Sequence, residues 1–171
     1  MTSDLKDRIR TYWHERAAAF DEIASHRREA AAWERILTLA TSGIPKGSRV
    51  LDLGAGTGAC ALPMARLGHR VTAVDLAPAM IEQLEAHALR ESLEISTVCA
   101  DVDDLPMHDA SLDLVTMRNV LWTVPAPERL LSRVSRSLRP GGILLIADGF
   151  WDHDVREHVP DDVHWSHNRF L

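Results

Sequence analysis

Short apolar runs alternate with amphipathic segments along most of the chain. Apolar residues that recur at helical spacing predict two opening helices, over residues 4–20 and 28–41. From residue 49 onward, the pattern switches between the short run of a buried strand and the longer period of a helix. It predicts strands at 49–53, 70–74, 94–99, 112–117 and 143–147, and helices that end near Leu67, begin at Pro78 and begin at Pro127.

This alternation predicts an α/β fold, with a mainly parallel sheet covered by helices. The last helix is expected to end at Pro140-Gly141-Gly142. The residues after Asp148 are polar and lack a strand pattern, so we expect a sheet that is shortened after strand 5. The predicted organisation is a helical lid or cap over 1–42, an α/β core over 43–150 and a polar tail over 151–171.

The segment 50–58 reads Val-Leu-Asp-Leu-Gly-Ala-Gly-Thr-Gly. A buried strand ends there in three alternating glycines, and a helical pattern follows at once. Because glycine has no Cβ atom, such a turn lets a ligand come very close to the backbone. The segment therefore predicts a ligand site at the carboxyl end of the first strand.

Two kinds of ligand fit this turn. Gly54, Gly56 and Ala59 match a relaxed dinucleotide fingerprint, and Asp75 follows 21 residues after Gly54, where a ribose-binding acid belongs. Asp52 favours a different ligand, because its carboxylate would repel a pyrophosphate but attract a cationic amine. The alternative for Asp52 is a structural role, as a helix cap or a turn-stabilising acid.

Residues 50–148 resemble class I S-adenosylmethionine (SAM) dependent methyltransferases of the small-molecule type. The glycine-rich string resembles the first motif of that family, and Val74-Asp75-Leu76 and Cys99-Ala100-Asp101-Val102 are similar to its second and third motifs. Leu138-Arg139-Pro140-Gly141-Gly142 resembles its turn into strand 5, and Tyr12-Trp13-His14-Glu15-Arg16 its N-terminal lid segment. The resemblance implies a Rossmann-like three-layer α/β/α sandwich with a SAM-binding core.

The resemblance also implies residue roles. Asp52 would hold the methionine amino group of SAM, Asp75 would accept hydrogen bonds from both ribose hydroxyls, and Met80 would lie against the adenine. Asp101 would meet the adenine amino group, with the N–H of Val102 on the ring. The expected cofactor-binding residues are Tyr12, Trp13, Asp52, Gly54, Ala55, Gly56, Asp75, Leu76, Met80, Asp101, Val102, Arg118 and Asn119.

On the substrate side, we expect His14 and Trp122, although a surface histidine is the alternative for His14. The chain shows no nucleophile–base pair, so no catalytic residue is assigned, and no metal site is predicted. One departure from the family lies at Ala77, where a helix-capping serine is usual. The loss of such a cap costs a helix roughly 0.5–2 kcal/mol.

The implied reaction transfers the SAM methyl group to a nucleophilic N, O or C atom of a small molecule or short peptide, for example in secondary metabolism. S-adenosylhomocysteine would be the product. One alternative is a nicotinamide-dependent oxidoreductase, which Asp52 disfavours. The other is a catalytically silent SAM-binding regulator or subunit, which the shortened C-terminal part favours.

The composition of the chain limits the kinds of partner and the cellular location that we expect. The 171 residues carry a net charge of −6, which argues against nucleic acid as a partner, and no apolar run reaches the length of a membrane span. Without a signal-like segment, and with Cys60 and Cys99 at no metal-ligand spacing, we expect a cytoplasmic protein. A sheet that ends at strand 5 would leave an open edge, which favours a homodimer.

Overall fold

The computed structural model describes residues 2–22 and 24–148. Five strands form one sheet there, and helices pack on both of its faces. The strands are β1 Arg49–Leu53, β2 Arg70–Asp75, β3 Ile95–Cys99, β4 Leu112–Arg118 and β5 Leu138–Ala147. The helices are α1 Thr2–Phe20, α2 Ala24–Ala40, α3 Ala61–Arg66, α4 Pro78–Arg90 and α5 Pro127–Ser137, with a 3-10 turn at Leu121–Thr123.

The sheet is parallel throughout, in the order β3-β2-β1-β4-β5. This order confirms the predicted α/β fold with a parallel sheet. The chain moves outward from β1 to β3, then crosses back to β4 on the other side of β1. The carboxyl ends of β1 and β4 therefore flank the point where the strand order reverses, which is where ligands bind in such sheets.

Side chains alternate across β1 and place its polar residue on one face. Val50 belongs to the apolar core that the sheet forms with α2, α3 and α4. Leu51 and Leu53 belong to the core on the opposite face, against α5. Because strand side chains alternate in direction, Asp52 lies on the same face as Val50. It thus faces the start of α3, beyond the glycine turn.

Helix α1 packs over the beginning of α4. Trp13, Ala17 and Phe20 contact Ala77 and Met80 in a third apolar cluster. Because α4 follows directly after β2, this contact brings α1 to the carboxyl end of the sheet. The position agrees with a lid, although the division into a lid, a core and a tail stays a prediction.

The junction between α5 and β5 differs from the sequence expectation. The helix ends at Ser137, before the predicted stop at 140–142, and Leu138 already pairs with Leu112 of β4. The register then shifts, so that 139–142 form an irregular stretch before regular pairing resumes. Arg139 holds this stretch through an ion pair from its Nε to Oδ1 of Asp113, at 2.7 Å. Strand pairing with a distant part of the chain therefore ends the helix early.

No helix among the described residues is both long enough and apolar enough to cross a membrane. The predicted polar tail over 151–171 lies outside the described residues.

Candidate functional site

Two glycines of the turn after β1 have different surroundings. Gly54 has a φ of +66°, and a Cβ atom built there would lie 2.4 Å from Cγ2 of Val120. Gly56 has a φ of +53°, but a Cβ atom built there would meet no atom within 4 Å. Gly54 is thus needed for packing within the protein, whereas Gly56 borders open space in which a ligand could approach the backbone.

Asp52 is buried beside this turn, with 1% of its surface exposed. Its Oδ1 accepts a hydrogen bond of 2.7 Å from Oγ1 of Thr116, the residue opposite it on β4. Its Oδ2 is buried and has no hydrogen-bond partner within the described part of the chain. Burial raises the pKa of Asp52 to about 7, against the lowering effects of the Thr116 hydroxyl and of the N–H of Ala61 at the start of α3. A cationic donor at Oδ2 would satisfy this oxygen and favour the charged carboxylate.

Asp75 ends β2 and ties the glycine turn to α4. Its Oδ2 accepts a hydrogen bond of 2.8 Å from the N–H of Gly56, and its Oδ1 accepts one of 2.9 Å from the N–H of Ala77. Burial raises the pKa of Asp75, and these two N–H groups oppose that rise. Each carboxylate oxygen has a second lone pair, so Asp75 can still accept two hydroxyl groups.

Asp101 follows β3 and lies under the beginning of α1. Its Oδ2 is 2.5 Å from Nζ of Lys6, and its Oδ1 accepts a hydrogen bond of 2.9 Å from the N–H of Asp103. The next residue, Val102, directs its carbonyl to Arg133 of α5, at 3.1 Å. The structure therefore places a lysine on the acid that sequence reasoning assigned to adenine.

Aromatic residues of α1 approach the turn after β4. The ring of Trp13 is 5.0 Å from that of Tyr12 and 6.3 Å from that of Trp122, both in edge-to-face geometry. Met80, which was expected against adenine, is 2% exposed and lies beneath α1. Leu76 follows Asp75 at the end of β2 and is partly buried. These contacts bring Tyr12, Trp13 and Met80 to the same end of the sheet.

His14 has a role that the sequence did not reveal. Its Nδ1 accepts a hydrogen bond of 3.4 Å from the N–H of Ala79, in the first turn of α4. The first N–H groups of a helix have no partner within that helix. His14 and Asp75 together satisfy two such groups, and thus replace the capping side chain that Ala77 lacks. The structure therefore supports a positioning role for His14.

Arg118 and Asn119, at the end of β4, lie in different surroundings. The guanidinium carbon of Arg118 lies 5.4 Å from the ring centre of Trp33, within range of a cation–π contact. Arg118 and Trp33 line a cavity of about 570 Å³ between the glycine turn, α2, α3 and α4. Asn119 is exposed, has a φ of +55° and donates its N–H to the carbonyl of Ala147. The predicted pair is thus divided between this cavity and the end of β5.

A second contact ties the end of α1 to the glycine turn. Oγ1 of Thr57 donates a hydrogen bond of 2.6 Å to Asp21, just beyond α1. Nε2 of His87 lies 3.2 Å from the same carboxylate, and its Nδ1 lies 3.2 Å from the carbonyl of Thr57. A residue within the predicted lid or cap is therefore linked to the glycine turn.

Sequence reasoning missed several residues of this site. Thr116 could have been found once the register of β1 and β4 was known, because it lies opposite Asp52. Lys6, Asp21 and Arg133 reach the site from parts of the chain that are distant in sequence, and no spacing in the sequence predicts their contacts. Among the residues that the structure describes, no group of three or more His, Cys, Asp or Glu could hold a metal ion.

The parallel sheet, the open glycine turn and the acids at the carboxyl ends of β1, β2 and β3 define an α/β protein with a candidate ligand site at the switch point. The chain matches the family described as "Methyltransferase domain" over residues 51–146. This match covers more than half of the chain, and the protein belongs to that family.

Named relatives agree with this assignment. The chain is 38% identical over 104 residues to ubiquinone biosynthesis O-methyltransferase of Xanthomonas axonopodis pv. citri, a match that covers 60% of this chain and 44% of that protein. The chain thus spans less than half the length of the curated relatives it matches.

Solved structures show the same fold. Coclaurine N-methyltransferase bound to N-methylheliamine and S-adenosylhomocysteine superposes with a TM-score of 0.59, at 28% identity, over 67% of this chain and 35% of that one. The cyclase SpnF superposes with a TM-score of 0.60, also at 28% identity, over 66% of this chain and 44% of that one.

Proposed function

We propose that this chain binds SAM at the carboxyl ends of β1, β2 and β3. The proposed reaction transfers the methyl group to a nucleophilic nitrogen, oxygen or carbon atom of a small molecule or short peptide. The observation that carries the proposal is the buried Oδ2 of Asp52, which lacks a hydrogen-bond partner among the described residues and belongs to the strand that leads into the open glycine turn. A cationic amine suits this oxygen, whereas a pyrophosphate does not.

The residues at the three strand ends suit the parts of this cofactor. Asp52 would hold the amine of the methionine part, Asp75 would accept the ribose hydroxyls, and Asp101 with Val102 would recognise the adenine. Membership of the methyltransferase family supports this assignment over the nicotinamide alternative. The relative that was crystallised with S-adenosylhomocysteine supports it further.

When bound, SAM supplies a methyl group that is already electrophilic, because it is attached to a sulfonium. The chain itself has to hold the acceptor in line and keep water away. Trp13 and Trp122 provide an apolar cover at the end of the sheet. A general base is optional for an amine that is already neutral and useful for a phenol or an acid, and we assign no residue to that role.

Isothermal titration of the full chain with S-adenosylhomocysteine and with NADH tests the cofactor. We expect the first to bind and the second not. Asp75→Ala should weaken binding by about 1.5–3 kcal/mol, the contribution of hydrogen bonds to a charged group. NADH binding, or unchanged affinity in a folded Asp75→Ala variant, would remove the assignment.

Transfer itself needs a separate measurement, because a structural neighbour of this family is named as a cyclase. The full chain is incubated with SAM carrying a deuterated methyl group and with a pool of metabolites. Mass spectrometry should show the label in a product. S-adenosylhomocysteine that binds tightly without any labelled product would instead favour the catalytically silent regulator or subunit.

The proposal has three further parts. They are a cytoplasmic location, a homodimer and a role in secondary metabolism.

A further inference from the structure

Lys6 of α1 contacts two carboxylates at once. Its Nζ lies 2.5 Å from Oδ2 of Asp101 and 3.1 Å from Oδ2 of Asp103. The two acid side chains are 15% and 10% exposed, so the ion pair is largely shielded from solvent. Burial works to lower the pKa of Lys6, but hydrogen bonds to both acids outweigh it and raise that pKa. Lys6 therefore holds the beginning of α1 against the segment after β3.

The segment that carries the two acids is held in place from its other side. Arg133 of α5 donates hydrogen bonds to the carbonyls of Val102, Asp103 and Leu105. The N–H of Asp103 donates to Oδ1 of Asp101. Because this backbone is fixed, the two carboxylates stay side by side, where they repel each other unless a cation lies between them.

The ion pair conflicts with the proposed cofactor. Under that function, Asp101 accepts the adenine amino group. Its Oδ1 already accepts the N–H of Asp103, and its Oδ2 holds Nζ of Lys6 at 2.5 Å, so the adenine amino group would have to share a carboxylate oxygen with that N–H or with the ammonium. The neighbouring Asp103 has a spare acceptor, because its Oδ1 is buried without a hydrogen-bond partner within the described part of the chain.

We propose that Lys6 is a positioning residue that moves from Asp101 to Asp103 when the adenine binds. The adenine amino group takes the place of Nζ on Oδ2 of Asp101. Lys6 stays paired with Asp103, which keeps α1 tied over the nucleoside. The inference rests on the proposed function, and it makes Asp103 part of the cofactor site although Asp103 does not touch the cofactor.

The exchange predicts that Lys6→Met and Asp103→Asn change the rate of ligand association in opposite directions. Lys6→Met removes the competitor for Asp101, so S-adenosylhomocysteine should associate faster, by about two- to fivefold, the size of a partly exposed ion pair. It should also dissociate faster, since α1 loses its tie to Asp103. Asp103→Asn leaves Lys6 with Asp101 alone and should slow association by a similar factor. The double variant should behave like Lys6→Met.

A second readout uses the S-inosyl analogue of S-adenosylhomocysteine, which carries a carbonyl in place of the adenine amino group. Lys6 can donate to that carbonyl without leaving Asp101. Lys6→Met should therefore raise the preference for the adenosyl over the inosyl compound, by roughly two- to fivefold. A lysine that only packs α1 would leave this ratio unchanged.

Stopped-flow binding to the full chain gives the rate constants, and thermal unfolding confirms that each variant is folded. Arg10→Met is the matched control, because Arg10 lies on the same helix and pairs with Asp7 on the surface, at 2.7 Å. Equal rates in wild type and variants, or slower association in both single variants, would overturn the exchange and leave the proposed function standing. Failure of the wild-type chain to bind S-adenosylhomocysteine would overturn both.

Discussion

At the scale of single residues, the charged carboxylate of Asp52 is unfavourable in the protein without its ligand. Burial raises its pKa to about 7 from an ordinary value of 3.8. The folded state therefore binds a proton more tightly than the unfolded chain does. Asp52 therefore contributes most to the free energy of unfolding below pH 4. This contribution is lost as the pH rises towards 7.

Asp52→Asn should remove this loss of stability at higher pH, because asparagine does not ionise. It should keep the hydrogen bond from Thr116. We expect the ligand-free variant to be more stable than wild type at pH 8, by on the order of 2–4 kcal/mol, with the difference shrinking towards pH 4. The same variant should bind S-adenosylhomocysteine more weakly, because the amine loses its counter-charge. Urea unfolding across this pH range measures the first effect, and parallel stability curves for the two proteins would contradict it.

The two glycines offer a matched pair of variants. Gly54→Ala drives a Cβ atom into Val120 and should destabilise the fold. Gly56→Ala meets open space, so it should cost only the strain of a positive φ, about 1–2 kcal/mol. If a ligand occupies that space, Gly56→Ala should abolish binding in a protein that is still folded. Titration and thermal unfolding separate the two effects, and intact ligand binding by Gly56→Ala would move the site elsewhere.

At the scale of elements, the sequence predicted those bounds of helices and strands that depend on residues close together in the chain. The predicted bounds of β1 and β2 and the predicted start of α4 lie within about a residue of those in the structure, because a glycine follows β1, Asp75 ends β2 and Pro78 begins α4. The end of α5 was wrong, because Leu138 pairs with β4 instead of extending the helix. The approach of Lys6 to Asp101 joins distant parts of the chain, and no spacing in the sequence encodes it.

Helix α1 is the element whose function most needs a test. It rests on α4 through Trp13, Ala17 and Phe20, and Lys6 ties its beginning to Asp101. We expect S-adenosylhomocysteine to slow amide exchange over residues 2–22, because the ligand adds contacts beneath the helix. Exchange mass spectrometry with and without the ligand measures this. Equal protection in both states would identify α1 as a static packing helix.

At the scale of the whole molecule, the sheet has an edge at β5. Within the described residues β5 pairs only with β4, and Ile146 on this strand is 41% exposed. Unpaired N–H and C=O groups along a strand invite another chain to add to the sheet. A second copy of this protein is the partner that we predict.

A charge on that edge gives the decisive variant. Light scattering of the full chain at micromolar concentration should show a dimer, and Ile146→Lys should convert it to a monomer, because a lysine on an edge strand opposes pairing. Leu89→Lys is the control, since Leu89 is 81% exposed on α4, away from the edge. A wild-type monomer of 19.1 kDa, with β5 amides that exchange no faster than those of the central strand β1, would show that the edge is protected within one chain.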